Sequence, residues 1–359
     1  MISVVIPIFR SGELLGEAIE SVLNQTEKDW ELILVDNNAS DETLRVAEKY
    51  QKNHRDRIRL IHEPIQGVSY ARNLGIQEAY GNFIALLDDD DIMYPARLED
   101  QKTLLKNRPE VSIVYGSYDR VSFDNTTVLE EKVIDHPFPH FLNLPPILKE
   151  SLRLDQVDAM PSTIFFEKHR ANLSGLFDPH FSPCFLEDTD FNVRMHLLGD
   201  FARSDAQVIR FRTPSPHFLQ KKRKGMLFLY RQLQNQDYFF SKIVRKIEQA
   251  GLIENSDVRR VLIVWKSRWL KEASFHLLGL TGGVHLARLF LLRAIQESPT
   301  NYGAYKHLFR SMMSKEKRVL RYGNSHLTDT NLPLELNSSF VSDLFSGKHK
   351  CEFCTLGIN

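Results

Sequence analysis

Four short apolar runs, each followed by an amphipathic helical stretch, fill the first 107 residues. Ile2 to Pro7 leads into "GELLGEAIESVLNQT", where Leu14, Leu15, Ala18, Ile19, Val22 and Leu23 recur on one helical face. "WELILVD" precedes "SDETLRVAEKY", which opens on Ser40 or Asp41 as an N-cap and turns Leu44, Val46 and Ala47 inward. "RIRLIHE" precedes "QGVSYARNLGIQEAY", entered through Gly67, and "NFIALLD" precedes a helix from about Pro95 to Asn107 with proline at its first turn. Such alternation predicts an α/β fold, a doubly wound, mostly parallel sheet with helices on both faces. Sheets of this kind take ligands beyond the carboxyl ends of their strands. Pro7 to Phe9, Asp36 to Asn38 and Asp88 to Asp91 should therefore converge on one crevice.

The fourth strand ends in "LLDDDDIMYP", four consecutive carboxylates at the point where the chain leaves the core. Their mutual repulsion is unfavourable unless water or a cation compensates it. Two readings follow: a solvated acidic turn, or a site for a hard divalent cation such as Mg²⁺ or Mn²⁺, which takes carboxylate oxygens and keeps positions open for phosphates. No GxGxxG opens the first helix and no GxxxxGK[ST] occurs. Any phosphate would need neutralising by other means, which favours the cation.

After a strand "VSIVYGSYD", residues 120 to 160 lose periodicity and carry the loop "HPFPHFLNLPP", of a length usual for a lid or wall. "PSTIFF" resumes a strand. "FLEDTDFNVRMHLLGDF" then places Glu187, Asp188 and Asp190 at the start of a helix whose buried face is Phe191, Val193, Met195 and Leu198. Acids in a first turn also serve the helix dipole, so position alone leaves their role open. Beyond residue 218 the chain reads as helices, and from about Gly323 as a polar tail.

The net charge is zero but unevenly distributed. Residues 1 to 209 hold 21 Lys and Arg against 35 Asp and Glu; residues 210 to 325 hold 23 against 7. The basic part includes Lys221 to Lys224, with Trp265, Trp269, Phe290 and Leu291 set among Lys and Arg. That pattern suits an anionic membrane surface or a phosphate-bearing acceptor, and equally suits helices that pack on one another with a solvated exterior. The N-terminus lacks the features of a secretory signal, and no apolar run approaches about 18 residues without a charge or histidine. Cys184, Cys351 and Cys354 form no disulfide framework. A cytoplasmic location, with peripheral contact at the inner face of a membrane, is expected.

Five separated motifs, "SVVIPIFR", "LILVDNNASDET", "GVSYARNLGI", "FIALLDDDD" and "FLEDTDF", resemble in content and order those of the inverting glycosyltransferases of family 2, which have the GT-A fold. The resemblance covers about residues 1 to 215. It implies a catalytic domain there; the charge and periodicity beyond it mark a basic helical region at 216–322 and a tail at 323–359. It implies that Pro7 and Phe9 flank the nucleotide base and that Asp36 and Asn37 border base and ribose. Arg72 would contact the nucleotide side of the donor, with Asp89 beside it. Asp88 and Asp90 would form the DxD element holding Mn²⁺ or Mg²⁺ on the diphosphate, with Asp91 outside that spacing. Asp188 falls on the family's general base, and Glu187 would orient the site. Many relatives carry a second aspartate where this chain has Asn37, and often a Tyr-Arg-x-His where "FRTPSPHF" puts Pro214; His217 could replace that imidazole or sit in a surface loop.

The function so implied is transfer of a sugar from a nucleotide-diphosphate donor to a hydroxyl of a glycan or lipid-linked acceptor, in cell-surface polysaccharide or lipopolysaccharide synthesis. No nucleic acid is expected as partner. A nucleotidyltransferase would need a Gly-rich basic loop after the first strand, where "IPIFRSGELL" offers only Gly12 and Gly16. A non-catalytic nucleotide-sugar-binding scaffold would have no need of both the DxD acids and Asp188.

Overall fold

The computed structural model describes residues 1–132, 159–182, 186–196 and 198–213, together with isolated residues between 235 and 304. Strands β1 (Ile2–Ile8), β2 (Trp30–Asp36), β3 (Ile58–His62) and β4 (Phe83–Leu86) lie parallel in the order β3-β2-β1-β4. Helices α1 (Leu14–Leu23), α2 (Asp41–Asn53) and α3 (Val68–Glu78) connect them. Successive residues of β1 and β2 are buried, rather than alternate ones, so both faces of the sheet are covered.

Beyond β4 the sheet becomes mixed. It continues through β5 (Ile92–Met93), α4 (Arg97–Asn107), β6 (Val111–Val121), β7 (Val128–Lys132), β8 (Phe165–Glu167), α5 (Lys168–Ser174), α6 (Glu187–His196) and β9 (Asp200–Arg212). The order runs on as β4-β8-β6-β9-β5, with β7 paired to β6. β8 is antiparallel to both neighbours, β9 is parallel to β6, and β5 is antiparallel to β9. The two residues of β5 are too few to show a period. Their pairing, Ile92 with Arg210 and Met93 with Ile209, nevertheless ties the chain just after the acidic turn to the last strand.

Local chemistry explains the ends. Ser40 caps α2 by accepting from the Thr43 amide, while Leu44 is half-buried and Thr43, Val46 and Ala47 take the inner face. A Cβ on Gly75 would lie 2.3 Å from Cγ1 of Val5, so α3 approaches β1 as closely as it does because no side chain intervenes. Arg72, about one turn earlier, is thereby seated over the strand ends.

Three expectations are corrected. Residues 161–163 of "PSTIFF" form a 3-10 turn, and the strand starts only at Phe165. Leu198 lies past the end of α6 and is exposed, because the helix stops at His196. The stretch from 120 carries the β6–β7 hairpin before residues 133–158, which lie outside the described residues, as do Cys184, Pro214, His217, Lys221 to Lys224, Trp265, Trp269, Phe290 and the tail. The chain divides into two compact units, Met1–Asn143 with Lys149–Leu219, and Leu144–Leu148 with Gln220–Asn359. In the second unit Asn235, Phe239, Leu291 and Ala304 are buried.

Candidate active site

The acidic turn is closed on itself and held from three sides. The Asp91 amide donates to the Asp88 carbonyl at 3.2 Å, and the Asp88 amide to Ser162 Oγ at 2.9 Å. Arg72 Nη2 binds Asp88 Oδ1 at 2.9 Å. From β9, Arg212 Nε donates to the Asp90 carbonyl at 2.7 Å, and the Arg212 amide to Asp91 Oδ1 at 3.3 Å.

The four acids differ in environment. Burial pushes Asp89 up to about 6, against the hydrogen bond its Oδ2 receives from the Phe9 amide at 2.9 Å. Burial, with the charges of Asp88 and Asp89, pushes Asp90 up to about 7. Asp91 is the deepest, 1% exposed, and burial raises it well above the usual carboxylate range. Beneath it Arg97 is also buried, donating to the carbonyls of Leu86 and Ile164; burial pulls its pKa down to about 9, against the charge of Asp91.

A cavity of about 190 Å³ opens between this turn and the start of α6, lined among others by Arg72, Asp88, Ser162, Glu187, Asp188 and Phe211. Arg72 Nη1 reaches Glu187 Oε1 at 3.3 Å, so one buried guanidinium joins the turn to the acid pair across the cavity. Burial opposes the charge on Arg72, but Asp88 and Glu187 more than offset it and keep its pKa above the ordinary value. Burial and the charge of Asp188 push Glu187 up to about 7, against Arg72. Burial also raises Asp188, opposed by the Thr189 amide on its Oδ1 at 2.7 Å and by Arg72. Leu186, immediately before the pair, is buried with φ +79°, a conformation that costs a bulky residue on the order of 1–3 kcal/mol. Asp190 faces elsewhere, bound to Arg194 at 2.8 Å and 3% exposed.

The remaining predicted residues lie at adjacent strand ends. In register, Pro7 pairs Val35, Ile8 pairs Asp36, and Asp36 pairs His62. Phe9 is 38% exposed, with the Arg10 guanidinium 4.7 Å above its ring. Asp36 accepts from the Ala39 amide and lies 2.8 Å from His62 Nδ1. Asn37 is buried, and its amide is occupied: Nδ2 donates to the carbonyls of Glu63 and Ile65, and Oδ1 accepts from the Gly67 amide at 2.7 Å and from Gln66. A carboxylate could not donate the first two bonds. Asn37 thus holds the loop entering α3, and both Asp36 oxygens are likewise engaged, by the Ala39 amide and by His62.

The donor chemistry fits a divalent cation that is shared with a ligand. Among the described residues no three His, Cys, Asp or Glu side chains are grouped to hold a metal by themselves. Asp88 and Asp90 could supply two carboxylate oxygens, and a hard cation of this size commonly takes its other positions from phosphate and water. Burial is the main cause of the raised values of Asp89 and Asp90, and the neighbouring carboxylate charge adds to it.

Two contributors are not evident in the one-dimensional pattern. Arg212 and Ser162 both hold the acidic turn, from 122 and 74 residues away. Arg212 had a signal, since it precedes the motif departure at Pro214; Ser162 had none.

Comparison with known proteins bears on residues 3–160. The family described as "Glycosyl transferase family 2" matches residues 3–160. These residues form a glycosyltransferase family 2 domain. Glycosyltransferase GlyG of Streptococcus pneumoniae serotype 4 is 32% identical over 119 residues, covering 33% of this chain and 39% of GlyG. WfgD of Escherichia coli, a UDP-Glc:alpha-D-GlcNAc-diphosphoundecaprenol beta-1,3-glucosyltransferase, is 35% identical over 124 residues, covering 34% of this chain and 47% of its own. Matches to such curated relatives span from 17% to 58% of the relatives' lengths. S. aureus TarS 1-349, solved in complex with UDP, superposes with a TM-score of 0.50 at 17% identity, over 87% of this chain and 91% of that one. That likeness shows the GT-A fold. The family 2 match ends before Glu187, Asp188 and Arg212. No helix among the described residues is long and apolar enough to cross a membrane.

Proposed function

We propose that this chain transfers a sugar, with inversion, from a nucleoside-diphosphate donor to a hydroxyl of a glycan or lipid-linked acceptor in cell-surface polysaccharide or lipopolysaccharide synthesis. The observation that carries this is the Arg72 bridge: one buried cation binds Asp88 on the turn and Glu187 beside Asp188, on opposite walls of one cavity. Acids that serve only as a solvated turn have no need of it. WfgD uses a UDP-sugar and a diphosphate-linked lipid acceptor, and TarS has been solved with UDP-GlcNAc; both are in keeping with a nucleotide-sugar donor here.

The roles follow from chemistry. Displacement of a diphosphate spreads negative charge onto the leaving group, and Arg72 stays charged to meet it. Asp88 and Asp90 would hold Mn²⁺ or Mg²⁺, which when bound supplies Lewis-acid stabilisation of that charge. Asp188 takes the acceptor hydroxyl's proton, the part a carboxylate within hydrogen-bond reach can play. Glu187 holds Arg72, and burial raises both members of the acid pair above the usual carboxylate range. A single in-line displacement needs one base and no covalent sugar intermediate. Pro7, Phe9 and Asp36 would receive the base and ribose, with Asp89 anchoring Phe9. Peripheral contact with an anionic surface through the basic region belongs to the same proposal; co-sedimentation with anionic vesicles at low and high salt tests it.

The test of the transfer reading is Mn²⁺-dependent release of nucleoside diphosphate from a panel of UDP- and GDP-sugars. Slow hydrolysis of one donor is expected. Pyrophosphate release from nucleoside triphosphates would indicate a nucleotidyltransferase instead, and neither activity would indicate a binding scaffold.

A further inference from the structure

Arg212, the last residue of β9, is 2% exposed and joins four separate segments. Its Nη2 binds Glu17 on α1 at 2.6 Å, and its Nη1 donates to the Phe123 carbonyl in the β6–β7 hairpin at 2.7 Å. Its Nε donates to the Asp90 carbonyl at 2.7 Å, and its amide to Asp91 Oδ1 at 3.3 Å. The guanidinium meets the acidic turn at a backbone carbonyl and not at a carboxylate. An arginine bound to the Asp90 carboxylate would fix the turn but occupy the oxygens a ligand needs. Here the side-chain ion pair is made with Glu17, and the turn is gripped by its main chain.

We infer that Arg212 is the positioning residue of the acidic turn: neutralised by Glu17, it clamps the Asp90 backbone so that the Asp90 carboxylate stays ordered and open, beside the Arg72-bound Asp88, to receive a cation and diphosphate. The reasoning is electrostatic as well as geometric. Four adjacent acids repel one another and would splay the turn unless its backbone were tethered. β5 supplies one tether after the turn, Ser162 another before it, and Arg212 the one in its middle. The planar fork matters. A lysine carries its donors at one point and cannot reach Glu17, the Phe123 carbonyl and the Asp90 carbonyl together.

The consequence for ligand binding rests on the transfer reading; the tether itself does not, and the experiment separates them. Amide hydrogen exchange is measured in wild type, Arg212→Lys and Glu17→Gln, alongside binding of UDP and GDP with and without Mn²⁺. In both variants the amides of Asp88, Asp91 and Met93 are expected to exchange about tenfold faster or more, with those of β1 to β3 unchanged. Mn²⁺-dependent nucleotide affinity is expected to fall about tenfold in Arg212→Lys. Should Arg212→Lys fail to fold, Glu17→Gln, changed at a half-exposed position, gives the same readouts. Unchanged exchange at those three amides overturns the inference, as does a looser turn with undiminished affinity. A wild type that binds neither nucleotide, while the variants loosen the turn, leaves the tether standing and overturns the transfer reading.

Discussion

The Arg72 guanidinium lies 2.9 Å from the carboxylate of Asp88, and the arginine is almost wholly buried while the aspartate is 38% exposed. The cation is thus part of the interior, and the acid is the group presented to the cavity. Removing the cation should cost more than a surface ion pair would. Arg72→Met is expected to lower stability by about 3 kcal/mol, the lower figure for breaking a buried pair. It should also abolish detectable transfer. Chemical denaturation and a donor-hydrolysis assay check the two effects separately.

Asp90 and Asp91 should part company in the opposite sense to their motif spacing. Asp91 lies outside the Asp88-x-Asp90 pattern, which predicts a mild effect, yet it is the buried acid beside Arg97. Asp91→Ala removes the buried acceptor of the Arg212 amide and leaves Arg97 with less compensation, and a loss of about 1–3 kcal/mol in stability is expected. Asp90→Ala should keep the melting temperature and lose Mn²⁺-dependent nucleotide binding. Thermal melts and nucleotide titrations distinguish them; equal nucleotide affinity in Asp90→Ala and wild type would remove Asp90 from the metal site.

Asp188→Asn keeps the shape of the side chain and removes its basicity. Nucleotide affinity should be retained while transfer falls by at least about a hundredfold, the low end for general base catalysis. Asp190→Asn weakens the pair with Arg194 and should act on stability, with turnover by the folded fraction little changed. Near-normal turnover in Asp188→Asn would remove it as the base.

Stability should decline with pH across the neutral range. Burial raises Glu187 from 4.5 to about 7, so between those values the folded state binds the proton more tightly than the unfolded chain. The stabilisation is fully present below about pH 4.5 and is lost as pH rises through about 7, by up to about 3 kcal/mol. Melting temperatures between pH 5 and 8, about the window where this linkage acts, should fall in wild type and fall less steeply in Glu187→Gln. A parallel slope in the variant would refute the assignment.

Asn37→Asp brings in the residue many relatives carry, but here it removes both donors to the carbonyls of Glu63 and Ile65. A loss of about 2 kcal/mol is expected, within the range for buried groups left unsatisfied. Faster proteolysis or exchange in residues 63–67 would show the loop opening.

What the sequence determined by itself is local and periodic. Four apolar runs followed by helical faces specify β1 to β4 and their parallel sense, because a strand–helix–strand crossover returns the chain in the same direction. The ends of those strands had to come together, which placed Pro7, Phe9, Asp36 and Asp88 in one region before any coordinates. The tertiary structure decided what periodicity cannot encode. Asp91, and not a neighbour of identical type, is the buried acid because Ile92 and Met93 pair with β9 and draw the chain inward there. Asn37 is spent on a loop 26 to 30 residues away. Arg72, Ser162 and Arg212 meet the acidic turn from α3, a 3-10 turn and β9. These contacts depend on the distance between atoms brought together by folding, and a hydrogen bond across 122 residues leaves no trace in the spacing of either partner's neighbours.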